Sequence, residues 1–343
     1  MIVCKFGGSS LASAEQIKRA TAIMLDNPDR RIMVVSAPGK RKDVIPDQKI
    51  TDLLLDLIQH QESIGGGQKE RDVFVQRIVE IATGLELTPE VAQSLSFELD
   101  QAIAKLDPNE PSSRADVLAM GEIASAKLVT RYLTAIGVQA RYVDPREAGL
   151  LLSYRNGVTD ILPETYDNLA PLALEEAITV FPGFFGRTKE GDTITFSRGG
   201  SDISGAVLAA AVNASLYENW TDRDSVQAVN PELVKDAVAL DEMSYREMRE
   251  LAYIGFSIIH PEALEPVIRK NIPLRIANTD APHLPGTRIV AERTHIDRIL
   301  TGIAASDHFC SINLRRILIN QEIGILAKIL TIFSELGINV HHV

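Results

Sequence analysis

A short apolar strand that runs straight into paired glycines and then into a helix constrains this chain more than any other feature. It occurs twice. Ile2–Phe6 leads into Gly7-Gly8-Ser9-Ser10 and a helical pattern over residues 12–25. Residues 193–196 lead into Ser197-Arg198-Gly199-Gly200-Ser201-Asp202 and a small-residue helix over 201–212. Glycines let the backbone approach a ligand closely, and a helix N-terminus offers free N–H groups to an anion. In an open sheet such turns collect at the C-terminal ends of the strands, where ligands bind.

The rest of the chain alternates in the same way, which predicts a layered α/β domain with a mainly parallel sheet. Further strands are expected at 31–36, 140–143, 177–181, 215–220, 274–277 and 287–290. Residues 40–47 read as a polar loop. A long helical block follows, interrupted at Gly65-Gly66-Gly67 and including 112–133, with Ser112 or Ser113 as its cap. Lys189-Glu190-Gly191-Asp192 reads as a hairpin turn, and helices are expected at 243–254 and 261–270. The character changes near Arg293. Residues 300–304 and 310–318 alternate like strands, 324–336 has helical periodicity, and 338–343 begins another strand. The expected division is 1–292 and 293–343, with a second lobe of the larger part from about 180. A βαβ piece as small as 293–343 has an unpaired edge, so it is expected to continue or to pair with another chain.

Composition excludes several classes. The net charge of −11 argues against general nucleic-acid binding, and an anionic substrate would need a local cationic site. Two cysteines, Cys4 and Cys310, form neither a disulfide framework nor a metal-ligand spacing, so the cytosol is the natural compartment. No apolar run approaches the roughly 20 residues that span a bilayer.

Individual segments allow two readings each. Lys5 could set a point charge against a transferring phosphoryl group, or the segment could be a tight strand–helix turn. Its lysine precedes the glycines, unlike the Walker pattern. Arg198 has the planar fork that grips a carboxylate. Asp202 could cap its helix or hold Lys5 by charge-assisted hydrogen bonds. Glu122, between Gly121 and Ile123, could receive an amino acid's ammonium or pair with Lys127 on a helix surface. Trp220-Thr221-Asp222 ends a strand with groups suited to a ribose, a base or a solvated magnesium ion, or forms a solvated turn. Trp220, Tyr253 and Phe256 read as core residues rather than stacking platforms.

Together these segments resemble the aspartate kinase family, within the amino acid kinase fold. The resemblance rests on Lys5-Phe6-Gly7-Gly8-Ser9-Ser10, Gly121-Glu122, Phe181-Pro182-Gly183-Phe184, Ser197–Asp202, Asn219-Trp220-Thr221-Asp222 and Glu242-Met243-Ser244-Tyr245-Arg246-Glu247-Met248, in order and spacing along essentially the whole chain. It implies a three-layer αβα domain that makes 4-phospho-L-aspartate from ATP and L-aspartate with Mg²⁺ on the phosphates, the opening step of lysine, threonine and methionine biosynthesis. It implies that Lys5 stabilises charge on the γ-phosphoryl group and that Asp202 organises Lys5. Gly7, Gly8 and Ser9 would cradle the ATP phosphates, with Thr221 and Asp222 at the nucleotide. Glu122 would take the α-ammonium of aspartate and Arg198 a carboxylate. Ser36, Thr51, Gly199, Gly200 and Ser201 would line the substrate cleft. No dedicated metal ligand is implied.

The chain departs from the commonest family pattern at three places. Gln227 stands for a Tyr, Glu232 for a nucleotide-contacting Arg and Ser257 for a phosphate-facing Lys. Some Gram-positive members look similar here, and Arg223 could supply compensating charge. From about residue 300 the chain resembles the start of an ACT-type regulatory module. That implies pairing between subunits and an end-product effector, lysine or threonine, near residues 320–326, Asn339 and Val340. Simple sheet packing would serve the same residues. Two other functions stay open: a non-catalytic amino-acid-sensing member, and a kinase for glutamate, acetylglutamate or a nucleotide.

Overall fold

A computed structural model describes residues 1–41, 44–64, 66–107, 109–155, 158–197, 199–231, 233–253, 259, 263–293, 300–305, 310–315, 317, 323–338, 340 and 343. The chain divides into two compact units, Met1–Ala305 and Ser306–Val343.

The strands of the first unit are β1 (Ile2–Phe6), β2 (Arg30–Val35), β3 (Ala140–Tyr142), β4 (Leu152–Arg155), β5 (Val158–Ile161), β6 (Ile178–Pro182), β7 (Phe185–Arg187), β8 (Thr193–Thr195), β9 (Leu216–Thr221), β10 (Glu242–Ser244), β11 (Leu274–Asn278) and β12 (Thr287–Val290). Its helices are α1 (Ala14–Asp26), α2 (Ile50–Ile64), α3 (Gln68–Gly84), α4 (Pro89–Ala104), α5 (Pro111–Ala135), α6 (Pro145–Ala148), α7 (Glu164–Leu169), α8 (Gly200–Ala211), α9 (Tyr245–Tyr253) and α10 (Leu264–Arg269). Eight strands form the central sheet in the order β10-β12-β11-β9-β1-β2-β6-β3. From β11 to β3 every pairing is parallel, and only the β11–β12 pairing is antiparallel.

Strand alternation sorts the side chains into two cores. Cys4, Phe6, Met33, Val35 and Trp220 face the helices α1 to α5. Val3, Ile32, Val34, Tyr217 and Leu274 face α7 to α10. The result is three layers, helices on both faces of a mainly parallel sheet. The near-continuous apolar runs of β1 and β2 follow from that double burial.

A charge cluster lies inside the first core. Glu218 on β9 accepts from Arg30 Nε at 2.8 Å, Arg275 Nη1 at 3.1 Å and Trp220 Nε1 at 3.0 Å. Both guanidinium groups sit 5.3 Å from the Trp220 ring centroid, and Phe6 stacks on that ring at 6.1 Å. Burial would raise the pKa of Glu218. The hydrogen bond and charge of Arg30, helped by Arg275 and Trp220, outweigh burial and hold it below the usual carboxylate range. Trp220 is thus a core residue, as expected, with 1% exposure.

Several expectations need correction. The cap of α5 is Glu110, with Pro111 at the first helical position, so neither Ser112 nor Ser113 caps it. Proline fits there because that position needs no N–H. Ser113 instead exchanges hydrogen bonds with the Asp107 main chain at 3.0 Å. The helix expected over 243–254 begins only at Tyr245, because Glu242–Ser244 pairs with β12 as a strand. The helix expected over 12–25 forms as α1, two residues later than expected because Ser13 is its cap and accepts from the Gln16 N–H; a separate 3-10 turn at Gly8–Leu11 precedes it. Strands are absent from 300–305 and 310–315 among the described residues. Alternation specifies faces, but a strand also needs a ladder of pairing; Ile303 N donates to Ala228 O at 2.7 Å without one forming. Within the second unit α11 (Ile325–Glu335) forms as expected, entered through Gly324 at φ 76°. Among the described residues no helix is long and apolar enough to cross a membrane.

Candidate active site

Lys5 is the penultimate residue of β1, in register with Asn219 of β9, on the face covered by α8. The Asp202 carboxylate in the first turn of α8 meets it there. Lys5 Nζ lies 2.6 Å from Asp202 Oδ1, with side-chain exposures of 10% and 13%. Asn219 Nδ2 donates to the same oxygen at 2.9 Å, and Tyr217 Oη donates to the Asp202 carbonyl at 3.0 Å. Asp202 therefore does not cap its helix. The cap is Gly199, which sits at φ 63°, a left-handed conformation that suits a residue without Cβ. Asn219 and Tyr217 were not singled out from the sequence. Nothing in a strand pattern says which helix residue will cross it.

The glycine turn after β1 is built by close backbone contact. Gly39 N donates to Gly8 O at 2.8 Å. A Cβ on Gly8 would lie 2.8 Å from Ala37 O, and one on Gly39 would lie 2.6 Å from the Gly8 carbonyl carbon. The turns after β1 and β2 thus touch, and only glycine fits at the junction. Gly7 N donates to Trp220 O at 3.0 Å, which ties this turn to the end of β9. Ser9 follows Gly8 in the 3-10 turn, and Ser10 Oγ is 2.7 Å from Thr279 Oγ1 beyond β11.

Ser36 follows β2, and its N–H donates to Phe6 O at 3.2 Å. Pro38 O accepts from Ile50 N at 3.1 Å, which sets the first turn of α2, where Thr51 lies half-buried. Glu122 comes from the middle of α5. A Cβ on its neighbour Gly121 would be 2.7 Å from the Ala37 Cβ, so α5 packs directly on the β2 turn. Glu122 is 4% exposed, and its Oε2 has no hydrogen-bond partner. Burial pushes its pKa up to about 8, although the Ala37 main chain and the charge of Lys5 oppose this. Lys127 does not pair with it; Lys127 Nζ bonds Glu98 at 2.6 Å. An ionisable oxygen buried beside a lysine and left without a partner is what a ligand's cation would complete.

Gly200 and Ser201 open α8. A Cβ on Gly183, just beyond β6, would lie 2.7 Å from the Ser201 Cα, which brings that strand end against the helix. Thr221 ends β9, its Oγ1 bonds Asp222 Oδ1 at 3.3 Å, and its carbonyl accepts from Thr279 N at 2.9 Å. The structure therefore brings Lys5, Gly7, Gly8, Ser9, Ser36, Thr51, Glu122, Gly199 to Asp202, and Thr221 with Asp222 to one end of the sheet. Arg198 lies outside the described residues, as do Glu232, Ser257, Phe256, Asn320 and Asn339. Gln227 bridges to Ala239, and its Oε1 is buried without a partner. Among the described residues no group of three His, Cys, Asp or Glu side chains would hold a metal ion.

Known proteins resemble this chain in sequence and fold. The amino acid kinase family model matches residues 1–278. Aspartokinase 3 of Bacillus subtilis is 42% identical over 344 residues, covering 100% of this chain and 75% of that protein. The Clostridium acetobutylicum aspartate kinase structure matches with TM-score 0.82 and 31% identity, over 100% of this chain and 75% of that one. Escherichia coli aspartokinase III in complex with aspartate and ADP (R-state) matches with TM-score 0.79 and 26% identity, over 100% of this chain and 76% of that one. The same enzyme with lysine and aspartate (T-state) matches with TM-score 0.72, at 26% identity and the same coverage. The chain belongs to the amino acid kinase family, and within it to the aspartokinases.

Proposed function

We propose that this protein transfers the γ-phosphoryl group of ATP to the side-chain carboxylate of L-aspartate, giving ADP and 4-phospho-L-aspartate. The observation that carries this is the buried Glu122 carboxyl, with an unpartnered oxygen, close enough to the Lys5–Asp202 pair to feel the lysine's charge. Glu122 takes the aspartate ammonium, while Arg198, Ser36 and Thr51 orient its carboxylates. The Gly7-Gly8-Ser9 turn holds the ATP phosphates, and Thr221 and Asp222 hold the nucleoside end.

The chemistry then needs few groups. An aspartate carboxylate oxygen attacks the γ-phosphorus in line, the bond to the β-bridging oxygen breaks, and ADP leaves with that electron pair. No general base is required, because the nucleophile is already ionised. Lys5 contributes by compensating charge on the γ-phosphoryl oxygens, and Asp202 with Asn219 holds its ammonium in place before substrate arrives. Mg²⁺, when bound to the phosphates, would neutralise part of their charge, held by phosphate oxygens and water rather than by a protein cluster. Residues 1–292 would carry this activity, and the segment from 293 would begin an ACT-type module that pairs with a second copy and takes lysine or threonine as effector.

A second reading, a non-catalytic amino-acid sensor, is favoured by Gln227, whose buried Oε1 lacks a partner at a position where a Tyr is common in the family. One assay separates the two. Hydroxylamine traps an acyl phosphate as a hydroxamate. The proposal expects ATP-dependent hydroxamate with aspartate and little with glutamate or acetylglutamate, and no ADP release with UMP; a decrease on adding lysine or threonine would support the effector reading. Absence of hydroxamate with aspartate, alongside retained amino-acid binding, would leave the sensor.

A further inference from the structure

A guanidinium outside the proposed substrate residues fastens the turns after β1 and β2 to each other. Arg77 of α3 is 4% exposed, on a helix face otherwise buried through Phe74, Ile78 and Ile81. Its Nη2 donates to Ala12 O at 3.0 Å and to Gly39 O at 2.7 Å. Ala12 closes the 3-10 turn that begins at Gly8, and Gly39 closes the turn after β2. Its Nη1 donates to both Asp47 oxygens at 3.0 Å. Asp47 is held in turn by the Arg41 N–H at 2.6 Å and by Arg41 Nη2 at 2.8 Å.

The simpler account is a structural buried arginine. Its cost argues against that account alone. Arg77 Nε is buried with no partner, so the fold tolerates an unsatisfied donor to keep this residue. What is gained lies at the reaction end of the sheet. The Gly39 turn carries the Ala37 main chain, which lowers the pKa of Glu122 against the effect of burial, and Pro38 O, which anchors the helix start bearing Thr51. The Gly8 turn carries the proposed phosphate cradle. A planar fork bonds two carbonyls from one nitrogen and a carboxylate from the other, a spread that lysine's three donors on a single atom do not match.

We propose that Arg77 is a positioning residue: it fixes the spacing between the phosphate-binding turn and the amino-acid-binding turn, and so the alignment of the two substrates. This rests on the function proposed above. A displacement of about 1 Å in such an alignment costs on the order of 100-fold in rate. Arg77→Met is therefore expected to lower kcat about 100-fold, and Arg77→Lys about 10-fold, by that same sensitivity. Arg71→Met on the same helix, which removes an ion pair to Asp100, should stay near wild type. Hydrogen exchange on the full chain gives the second readout. Amides of residues 7–12 and 36–41 should exchange faster in both Arg77 variants, while those of β1 and β2 keep wild-type protection.

Unchanged exchange in those two segments would overturn the proposal, as would kcat and KM both within a few-fold of wild type in Arg77→Met. Faster exchange throughout β1 and β2, in step with the loss of activity, would also overturn it, since that marks general destabilisation. If Arg77→Met does not fold, Arg77→Lys and Asp47→Asn are read by the same criteria. If wild type phosphorylates no substrate, the function proposed above fails, while exchange in Arg77→Lys still decides whether the clamp exists.

Discussion

Replacing Glu122 by Gln should make the ligand-free protein more stable and a poorer aspartate binder. The pKa of Glu122 is pushed by burial from an ordinary 4.5 to about 8. Between those values the folded protein keeps a proton that the unfolded chain has released. By linkage, the stability of wild type therefore falls as pH rises through that window, by about 1.4 kcal/mol per unit. At pH 7 the accumulated penalty is about 3 kcal/mol, and a neutral Gln is spared it. An imperfectly bonded amide returns about 1 kcal/mol of that, so a net gain of about 2 kcal/mol is expected. The gain should vanish at about pH 5, where the penalty has fallen to about the 1 kcal/mol that the amide costs. Losing one partner of a buried charge pair costs roughly 2–5 kcal/mol, so the aspartate KM should rise at least ~30-fold. Wild-type aspartate affinity should also improve with pH up to about 8, because the Glu122 proton must leave before the ammonium can pair. Denaturant melts across pH and steady-state KM measurements test this. A Gln variant less stable at every pH, or with unchanged KM and pH profile, would refute the reasoning.

Three further outcomes follow from the geometry. Lys5→Met should lower kcat by roughly 100–1000-fold with a much smaller change in aspartate KM, measured in single-turnover phosphoryl transfer. Gly8→Ala forces a Cβ to within 2.8 Å of Ala37 O, and should cost about 1–3 kcal/mol in a denaturant melt together with turnover. Glu218→Ala strips the shared partner from Arg30 and Arg275 and should cost about 3–5 kcal/mol without altering the aspartate KM. The folded pKa of Glu218 is depressed, so its contribution is present above its ordinary pKa and is lost as pH falls, which acid titration of wild type against the variant will show.

The layers of this protein were legible because hydrophobic periodicity and glycine placement are local properties. β1, β2, β6, β9 and β11 fall within a residue or two of their expected spans. The β4–β5 hairpin was missed although Asn156-Gly157 is a hairpin dipeptide, because the flanking strands are short and half-exposed. β10 was missed because its three residues run straight into α9. The site was legible in part for a different reason. Lys5 and Asp202 each had two readings, and only the tertiary crossing of α8 over β1 and β9 decides that Asp202 reaches Lys5. Arg77 was not singled out, although it stands in the apolar stripe of α3 with Phe74, Ile78 and Ile81, and a lone Arg at that spacing is a signal of a buried, bonded guanidinium. The Gly8–Gly39 contact likewise joins two turns that nothing local connects.

The account turns on one ligand pair sharing the space between Glu122 and Lys5. A crystal structure of the protein with L-aspartate and a non-hydrolysable ATP analogue measures this directly. The predicted result is the aspartate ammonium within ~3 Å of Glu122 Oε2, the γ-phosphate on Lys5 Nζ, and the side-chain carboxylate pointing at that phosphorus. Aspartate bound away from Glu122, or phosphates that do not touch Lys5, would contradict it.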